Sequence, residues 1–234
     1  MKITIDTNVL IWGSLWAGAS DKILEKIEKV ALGEIGFEKE IILVDDGSAD
    51  GTKEILKSLD EKYKIIYHQK NQGKGAAIQT GLKHATGEYV IIQDADLEYD
   101  PQDYKNLLGC ILENNAKVVY GSRRLNFKNK YSYRSFYLGG VFLTWVANII
   151  YGINITEEST CYKLFKTEFL KSVPLRSKGF EFCPEVTART AKRGVKIYEV
   201  PIHYYPRHIN EGKKIKWKDG LSALWTLIKY RFID

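Results

Sequence analysis

The chain has 234 residues, of which 44% are apolar and 27% charged. That composition supports one sizeable globular core and excludes disorder, collagen-like repeats and a coiled coil. Three cysteines, Cys110, Cys161 and Cys183, form no C-x-x-C pair. A disulfide framework or structural zinc site is therefore not expected, and a reducing, cytoplasmic setting is. The net charge of +6 hides a split. Residues 1–120 carry 14 Lys and Arg against 20 Asp and Glu, and residues 121–234 carry 21 against 9. An acidic half suits a metal. A basic half suits an anionic partner, or is simply a solvated face.

In chain order, the pattern gives a short strand at Lys2–Ile5, then a helix capped by Ser20 and running to about Leu32. A continuous apolar strand, Glu40–Val44, ends in Asp45-Asp46-Gly47-Ser48. A helix at Thr52–Leu59 and a strand at Lys64–Tyr67 follow. Gly75–Ala85 reads as a helix stopped by Gly87, Tyr89–Gln93 as a strand, Pro101–Glu113 as a helix opening on proline, and Val118–Tyr120 as a strand. Alternating strands and helices with near-continuous apolar strands describe an α/β chain with a mostly parallel sheet, helices on both faces.

The next stretch, Ser135–Thr156, has no formal charge over 22 residues. Its length suits a membrane span. Gly139, Gly140, Thr144, Asn148, Gly152 and Asn154 interrupt it, and its apolar residues fall at helical spacing, so it reads as an amphipathic helix, buried or facing a membrane. No basic region followed by an apolar run marks a secretory leader at the N-terminus. Arg134 precedes this stretch. Lys213, Lys214, Lys216, Trp217 and Lys218 precede a last helix bearing Leu221, Leu224, Trp225 and Ile228. Basic residues interleaved with Trp suit a lipid surface, and equally suit lysines lying over a packed helix. No internal repeat or linker divides the chain, so residues 1–234 read as one unit, with 1–34 atypical and 208–234 forming a basic loop and amphipathic helix.

In a parallel sheet, ligands bind beyond the carboxyl ends of the strands. Those ends carry Asp45-Asp46, Asn71–Gly75, Asp94-Ala95-Asp96 and Gly121-Ser122-Arg123. Asp94 and Asp96 flank one small residue, and two such carboxylates suit Mg²⁺ or Mn²⁺ shared with substrate phosphates. A capped turn is the alternative for the same pattern. Asp45 or Asp46 can accept from ribose hydroxyls or a base N–H, or can shape a turn. The glycine turn NQGKG, 71–75, opens a helix whose N–H groups suit a phosphate, although the full P-loop pattern is absent.

Taken in order, VDDGSADGT (44–52), NQGKGAAIQTGLKHATGEYVIIQDADLEYDP (71–101), VVYGSR (118–123), TCYKLF (160–165), GFEFCPEVTARTAKRGVKIYEVPIHYYPR (179–207) and EGKKIKWKDG (211–220) resemble inverting family-2 glycosyltransferases of the GT-A fold. The resemblance covers about residues 35–232 and is nearest to dolichyl-phosphate mannosyltransferases and related polyprenyl-phosphate sugar synthases. It implies a single GT-A domain that moves a hexose, mannose or glucose, from a nucleotide diphosphate sugar such as GDP-mannose or UDP-glucose to a polyprenyl phosphate. It further implies Mg²⁺ or Mn²⁺, a peripheral position at the cytoplasmic membrane face with or without an anchoring subunit, and no nucleic-acid partner.

The resemblance places Asp45, Asp46, Asp94, Ala95, Asp96 and Arg123 at the donor. It places Asp94, Asp96 and Glu98 at the metal. Arg134, Arg207, Lys213 and Lys214 fall at the acceptor or diphosphate. Glu157 and Glu158 stand where an acidic residue serves a hydroxyl acceptor as base, and otherwise belong to a helix's first turn. A phosphate acceptor is already anionic and needs no base.

The first 29 residues depart from the pattern. They lack the Pro-x-Tyr-Asn-Glu type loop and resemble the opening of a PIN-domain nuclease, with Asp6 at that family's metal aspartate. Asp6, Thr7 and Asn8 are then the residues available to replace the lost donor contacts. Two alternatives follow: a non-catalytic member of the same fold with an impaired donor loop, and a PIN-type ribonuclease.

Overall fold

The computed structural model describes residues 5–12, 20–131, 133–207 and 217–233, with the side chains of 5–12, 20 and 21 outside the description. Seven strands form one sheet: β1 Ile5–Trp12, β2 Phe37–Asp45, β3 Lys64–Tyr67, β4 Tyr89–Asp94, β5 Val118–Ser122, β6 Lys163–Lys166 and β7 Ile197–Pro201. Their order is β3-β2-β1-β4-β6-β5-β7. Every pairing is parallel except those of β6, which runs antiparallel to β4 and β5. Among the described residues, eight α-helices accompany them: α1 Ser20–Glu28, α2 Thr52–Lys57, α3 Lys74–His84, α4 Tyr104–Asn114, α5 Arg134–Tyr151, α6 Thr167–Ser172, α7 Phe182–Lys192 and α8 Trp217–Phe232.

Period-2 alternation divides the strand residues between two cores. Ile41, Leu43, Tyr89, Ile91, Val119 and Leu164 face one side, with Ile23 and Ile27 of α1 and Leu107, Leu108 and Ile111 of α4. Ile42, Val90, Ile92, Val118, Tyr120 and Phe165 face the other, with Ile78 and Leu82 of α3 and Val186 of α7. Both faces are thus covered, as a mostly parallel sheet requires. Lys39 reaches across to close the end of α1, donating to the carbonyls of Ile27, Glu28 and Val30 at 2.7, 2.7 and 2.9 Å.

Of the strand expected at Lys2–Ile5, only Ile5 lies within the described residues; β1 runs Ile5–Trp12 inside the sheet, between β2 and β4. β6 follows from no alternating or continuous apolar pattern in its own four residues, KLFK. Its place between β4 and β5 is set by pairing on both edges.

The uncharged stretch is the helix α5, which packs on α8 through Leu143, Val146, Ala147, Ile150, Leu224 and Leu227. Tyr151 Oη ties the two by donating to the Leu227 carbonyl at 2.6 Å. Among the described residues, no helix is long and apolar enough to cross a membrane.

Candidate active site

The carboxyl ends of β2, β4, β5 and β7 bring the acidic turns, Arg123 and Arg207 to one edge of the sheet. Register places Trp12 of β1 beside Asp94, whereas Asp6 pairs with Glu38 at the opposite end of the strands. Asp6 is therefore remote from the acidic turns, and Thr7 and Asn8 pair well short of the edge. The idea that these three replace donor contacts, or seed a nuclease centre with the other aspartates, is corrected by that register.

Asp94 ends β4. Gln93, fully buried, holds its peptide by donating to the Asp94 carbonyl at 2.6 Å while accepting from Tyr104 and Tyr162 hydroxyls at 2.7 and 2.6 Å. The Asp94 carboxylate forms an ion pair with Lys74, the first residue of α3. Lys74 is only 2% exposed and also contacts Cys161 Sγ at 3.2 Å. Burial alone lowers a lysine's proton affinity, but Asp94 beside it, then Cys161 and Cys183, raise it, so the ammonium stays charged.

Two residues on, Asp96 accepts from Arg207 Nη2 at 2.6 Å, and Glu98 Oε1 accepts from the Arg207 backbone N–H at 2.9 Å. Burial, followed by the neighbouring charges of Asp94 and Glu98, pushes the Asp96 carboxyl up to about 7, against the opposing pull of Arg207. Ala95, between the two aspartates, packs into the core and fixes their spacing. The segment bearing Arg207 is fastened to this loop by a bridge between Tyr99 and Tyr204, by the Tyr205 N–H on the Glu98 carbonyl at 2.8 Å, and by the His203 N–H on Asp103 at 2.6 Å.

Just past the end of β5, Arg123 faces Glu157. Its backbone N–H donates to Oε2 at 2.7 Å and its Nε to Oε1 at 2.6 Å, with Nη2 completing the ion pair. The guanidinium lies over the Tyr204 ring at 4.8 Å and nears Tyr99 at 6.0 Å. Glu199 fixes the start of the Glu157 segment by accepting from the Thr156 and Glu157 N–H groups at 2.6 and 2.9 Å. Both Glu157 oxygens are committed, so the arrangement does not present it as a base. Glu158 is fully buried beside Lys163 and Thr187, and burial raises its carboxyl above the ordinary range against the pull of Lys163. The carboxylate expected as a base thus stands paired with Arg123 in this structure.

Other expected donor contacts are also spoken for. Asp46, fully buried, accepts from the Gln72 and Gly73 N–H groups at 2.9 and 2.7 Å and pairs with His68 at 2.7 Å. Asp45 accepts weakly from the Ser48 N–H at 3.3 Å. The N–H groups of Gly75 and Ala76 donate to the Gly179 and Lys178 carbonyls at 3.2 and 3.0 Å, so the start of α3 is covered by backbone. A side chain at Gly73, whose φ is +97°, would meet the Lys178 carbonyl at 2.6 Å. The glycines thus serve close backbone approach, and the phosphate cradle expected at 71–75 is corrected. Lys74 is the site residue that sequence reasoning left unassigned. Arg134 stands exposed in the first turn of α5, and Lys213 and Lys214 lie outside the described residues.

Among the described residues, no three His, Cys, Asp or Glu side chains converge to hold a metal unaided. Magnesium-type ions rarely use all-protein cages and complete their sphere with water and substrate phosphate. Asp94, Asp96 and Glu98, whose mutual repulsion a divalent cation would relieve, fit that shared mode.

The glycosyl transferase family 2 domain matches residues 19–173 of this chain. The chain belongs to glycosyl transferase family 2. This family-2 chain is 31% identical over 219 residues to the dolichyl-phosphate beta-glucosyltransferase ALG5A of Trichomonas vaginalis, covering 89% of the chain but only 66% of that relative's length. It is 29% identical over 226 residues to an uncharacterized protein of Methanocaldococcus jannaschii, covering 91% and 93%. Its fold superposes on glucosyl-3-phosphoglycerate synthase from Mycobacterium tuberculosis, crystallised with Mn²⁺, UDP and phosphoglyceric acid. The TM-score is 0.73 at 16% identity, over 98% of this chain and 80% of that one. The GT-A fold expected from the sequence is the fold observed.

Proposed function

We propose that this family-2 chain transfers a hexose, with glucose favoured, from a nucleotide diphosphate sugar to the phosphate of a polyprenyl lipid. The observation that carries the reading is the pairing of Glu157 with Arg123, together with the burial of Glu158. Neither glutamate is placed to deprotonate a hydroxyl. An acceptor that needs no deprotonation is one that arrives as an anion, and a phosphate monoester, with a second pKa of about 6, is such a nucleophile. Relatives named for dolichyl phosphate and glucose support the acceptor and sugar, and a fold neighbour solved with UDP and Mn²⁺ supports the donor.

In this reading an acceptor phosphate oxygen attacks the anomeric carbon, the bond to the donor's β-phosphate oxygen breaks, and the nucleoside diphosphate leaves with the electron pair. No proton has to move. A bound Mg²⁺ or Mn²⁺ would neutralise charge on the leaving diphosphate. The chain's own part is positional. Lys74 holds Asp94 in place, Gln93 fixes the peptide behind it, and Glu157 aims Arg123 across Tyr204 toward the donor side. Arg207, with Arg134, Lys213 and Lys214, supplies positive charge for two phosphates brought into line. Asp45 is assigned to the nucleoside, since its carboxylate is the less engaged of the pair.

We place the lipid side at α5 and α8. Leu138, Phe142, Trp145 and Ile149 on α5, and Leu221, Trp225, Ile228 and Phe232 on α8, repeat at the same helical spacing and are exposed. Trp145 and Trp225 are 58% and 64% exposed, and Arg134, Lys218, Lys229 and Arg231 flank the stripe. Exposed Trp with flanking cations suits an anionic interface.

The test is transfer from radiolabelled UDP-glucose, and separately GDP-mannose, to dolichyl phosphate in the presence of Mn²⁺. A lipid-soluble, acid-labile glucosyl product supports the reading. Metal-dependent UDP binding without any product favours the non-catalytic member of the same fold.

A further inference from the structure

We propose that Arg207 is an internal counter-ion that the divalent metal must displace from Asp96 and Glu98. The same displacement frees Arg207 for the phosphates of the substrates. The proposal rests on the donor-site reading above and concerns what the site does before any substrate arrives.

Charge within the cluster points this way. Asp94 is already matched by Lys74. Once Asp96 is ionised, it and Glu98 carry two negative charges against the single positive charge of Arg207, whose Nη2 lies 2.6 Å from Asp96 Oδ2. Adding a divalent cation while Arg207 stays would leave the cluster net positive in a largely buried place. That is costly, because burial strengthens like-charge repulsion as much as attraction.

The arginine is also incompletely held. Its Nε is buried without a hydrogen-bond acceptor among the described residues and stands 3.6 Å from Glu98 Oε1, beyond bonding distance. Glu98 is instead occupied by the Arg207 backbone N–H. A guanidinium that desolvates its Nε without pairing it is a weak competitor, stable only until a better cation arrives. The anchors Tyr204 and Tyr205 lie just before it in the chain, so the side chain can leave the carboxylates while the Tyr99–Tyr204 bridge stays closed.

Mn²⁺ binding, followed by the electron paramagnetic resonance of the free ion, tests this in the whole chain, with and without UDP. Without UDP, Arg207→Gln should bind Mn²⁺ about fivefold or more tighter than wild type, and Arg207→Lys should stay near wild type. With UDP, the gain in Mn²⁺ affinity should be smaller in Arg207→Gln, because the freed charge no longer reaches the diphosphate; a role in folding alone would not alter that coupling. Should Arg207→Gln fail to fold, the Arg207 Nε–H resonance of wild type gives the answer: a shift on adding Mg²⁺ supports displacement, and no shift overturns it. Equal or weaker Mn²⁺ affinity in a folded Arg207→Gln, with wild type still binding Mn²⁺ and UDP together, overturns the exchange alone. Failure of wild type to bind Mn²⁺ even with UDP overturns the donor-site reading and the exchange with it.

Discussion

Arg123 holds Glu157 through its backbone N–H, its Nε and its Nη2, so one arginine occupies both oxygens of the carboxylate. Glu157 lies almost wholly buried, and the pair is set by residues 34 apart in the chain. The consequence reaches the chemistry, because the acidic residue nearest the expected base position is consumed in aiming a cation.

Glu157→Gln should therefore destabilise the fold, by about 3 kcal/mol, since removing one partner leaves a buried charge uncompensated. Urea unfolding measures that cost. Activity should fall through a higher KM for the donor, while the acid limb of the kcat profile keeps its wild-type midpoint. A loss of that limb would return Glu157 to the role of base.

Asp96 gives a pH prediction. Its carboxyl is raised to about 7 by burial and then by Asp94 and Glu98, so the folded state holds a proton that the unfolded state releases near its ordinary value of 3.8. Between those values the folded protein binds more protons, and stability on this group's account falls as pH rises, levelling off above 7. Metal has to displace that proton. Mn²⁺ affinity at pH 6 should be about tenfold weaker than at pH 8, read by calorimetry in buffers of different ionisation enthalpy.

Lys74→Met should leave Asp94 as a buried carboxylate without its partner. The thermal midpoint should drop, and saturating Mn²⁺ should restore more of it than in wild type, because the ion then supplies the missing charge. Differential scanning calorimetry with and without Mn²⁺ reads both effects. An unchanged midpoint would remove Lys74 from the site's electrostatics.

Trp145→Ser combined with Trp225→Ser should abolish co-flotation with vesicles of phosphatidylglycerol while leaving the urea midpoint unchanged, since neither side chain is in the core. Retained flotation would place the lipid contact elsewhere.

Much of this was legible in the chain itself. Continuous apolar runs such as Ile41–Val44 and Tyr89–Ile92 announce strands buried on both faces, and the acidic turns after them mark the edge where ligands bind. What could not be read was which carboxylates are already spoken for. Asp46 looks like a nucleoside ligand by position, yet its partners at His68, Gln72 and Gly73 come from the next turn. Lys74 meets Asp94 only because α3 starts beside the end of β4, and Arg207 meets Asp96 from 111 residues away. Local patterns carry periodicity and turn chemistry; they do not carry pairings between distant loops. The N-terminal segment shows the same limit, since its resemblance to a nuclease opening gave no register, and the register puts Asp6 at the wrong end of the sheet.

The claim that the acceptor must arrive as an anion is tested most directly by offering two lipids that differ only at the reacting group. With UDP-glucose, Mn²⁺ and the whole chain, transfer to dolichyl phosphate is compared with transfer to dolichol at equal concentration in the same detergent. The account predicts glucosylation of the phosphate and none of the alcohol. Transfer to the alcohol would contradict it, for a hydroxyl nucleophile demands a base that the Arg123–Glu157 pair and the burial of Glu158 do not leave free.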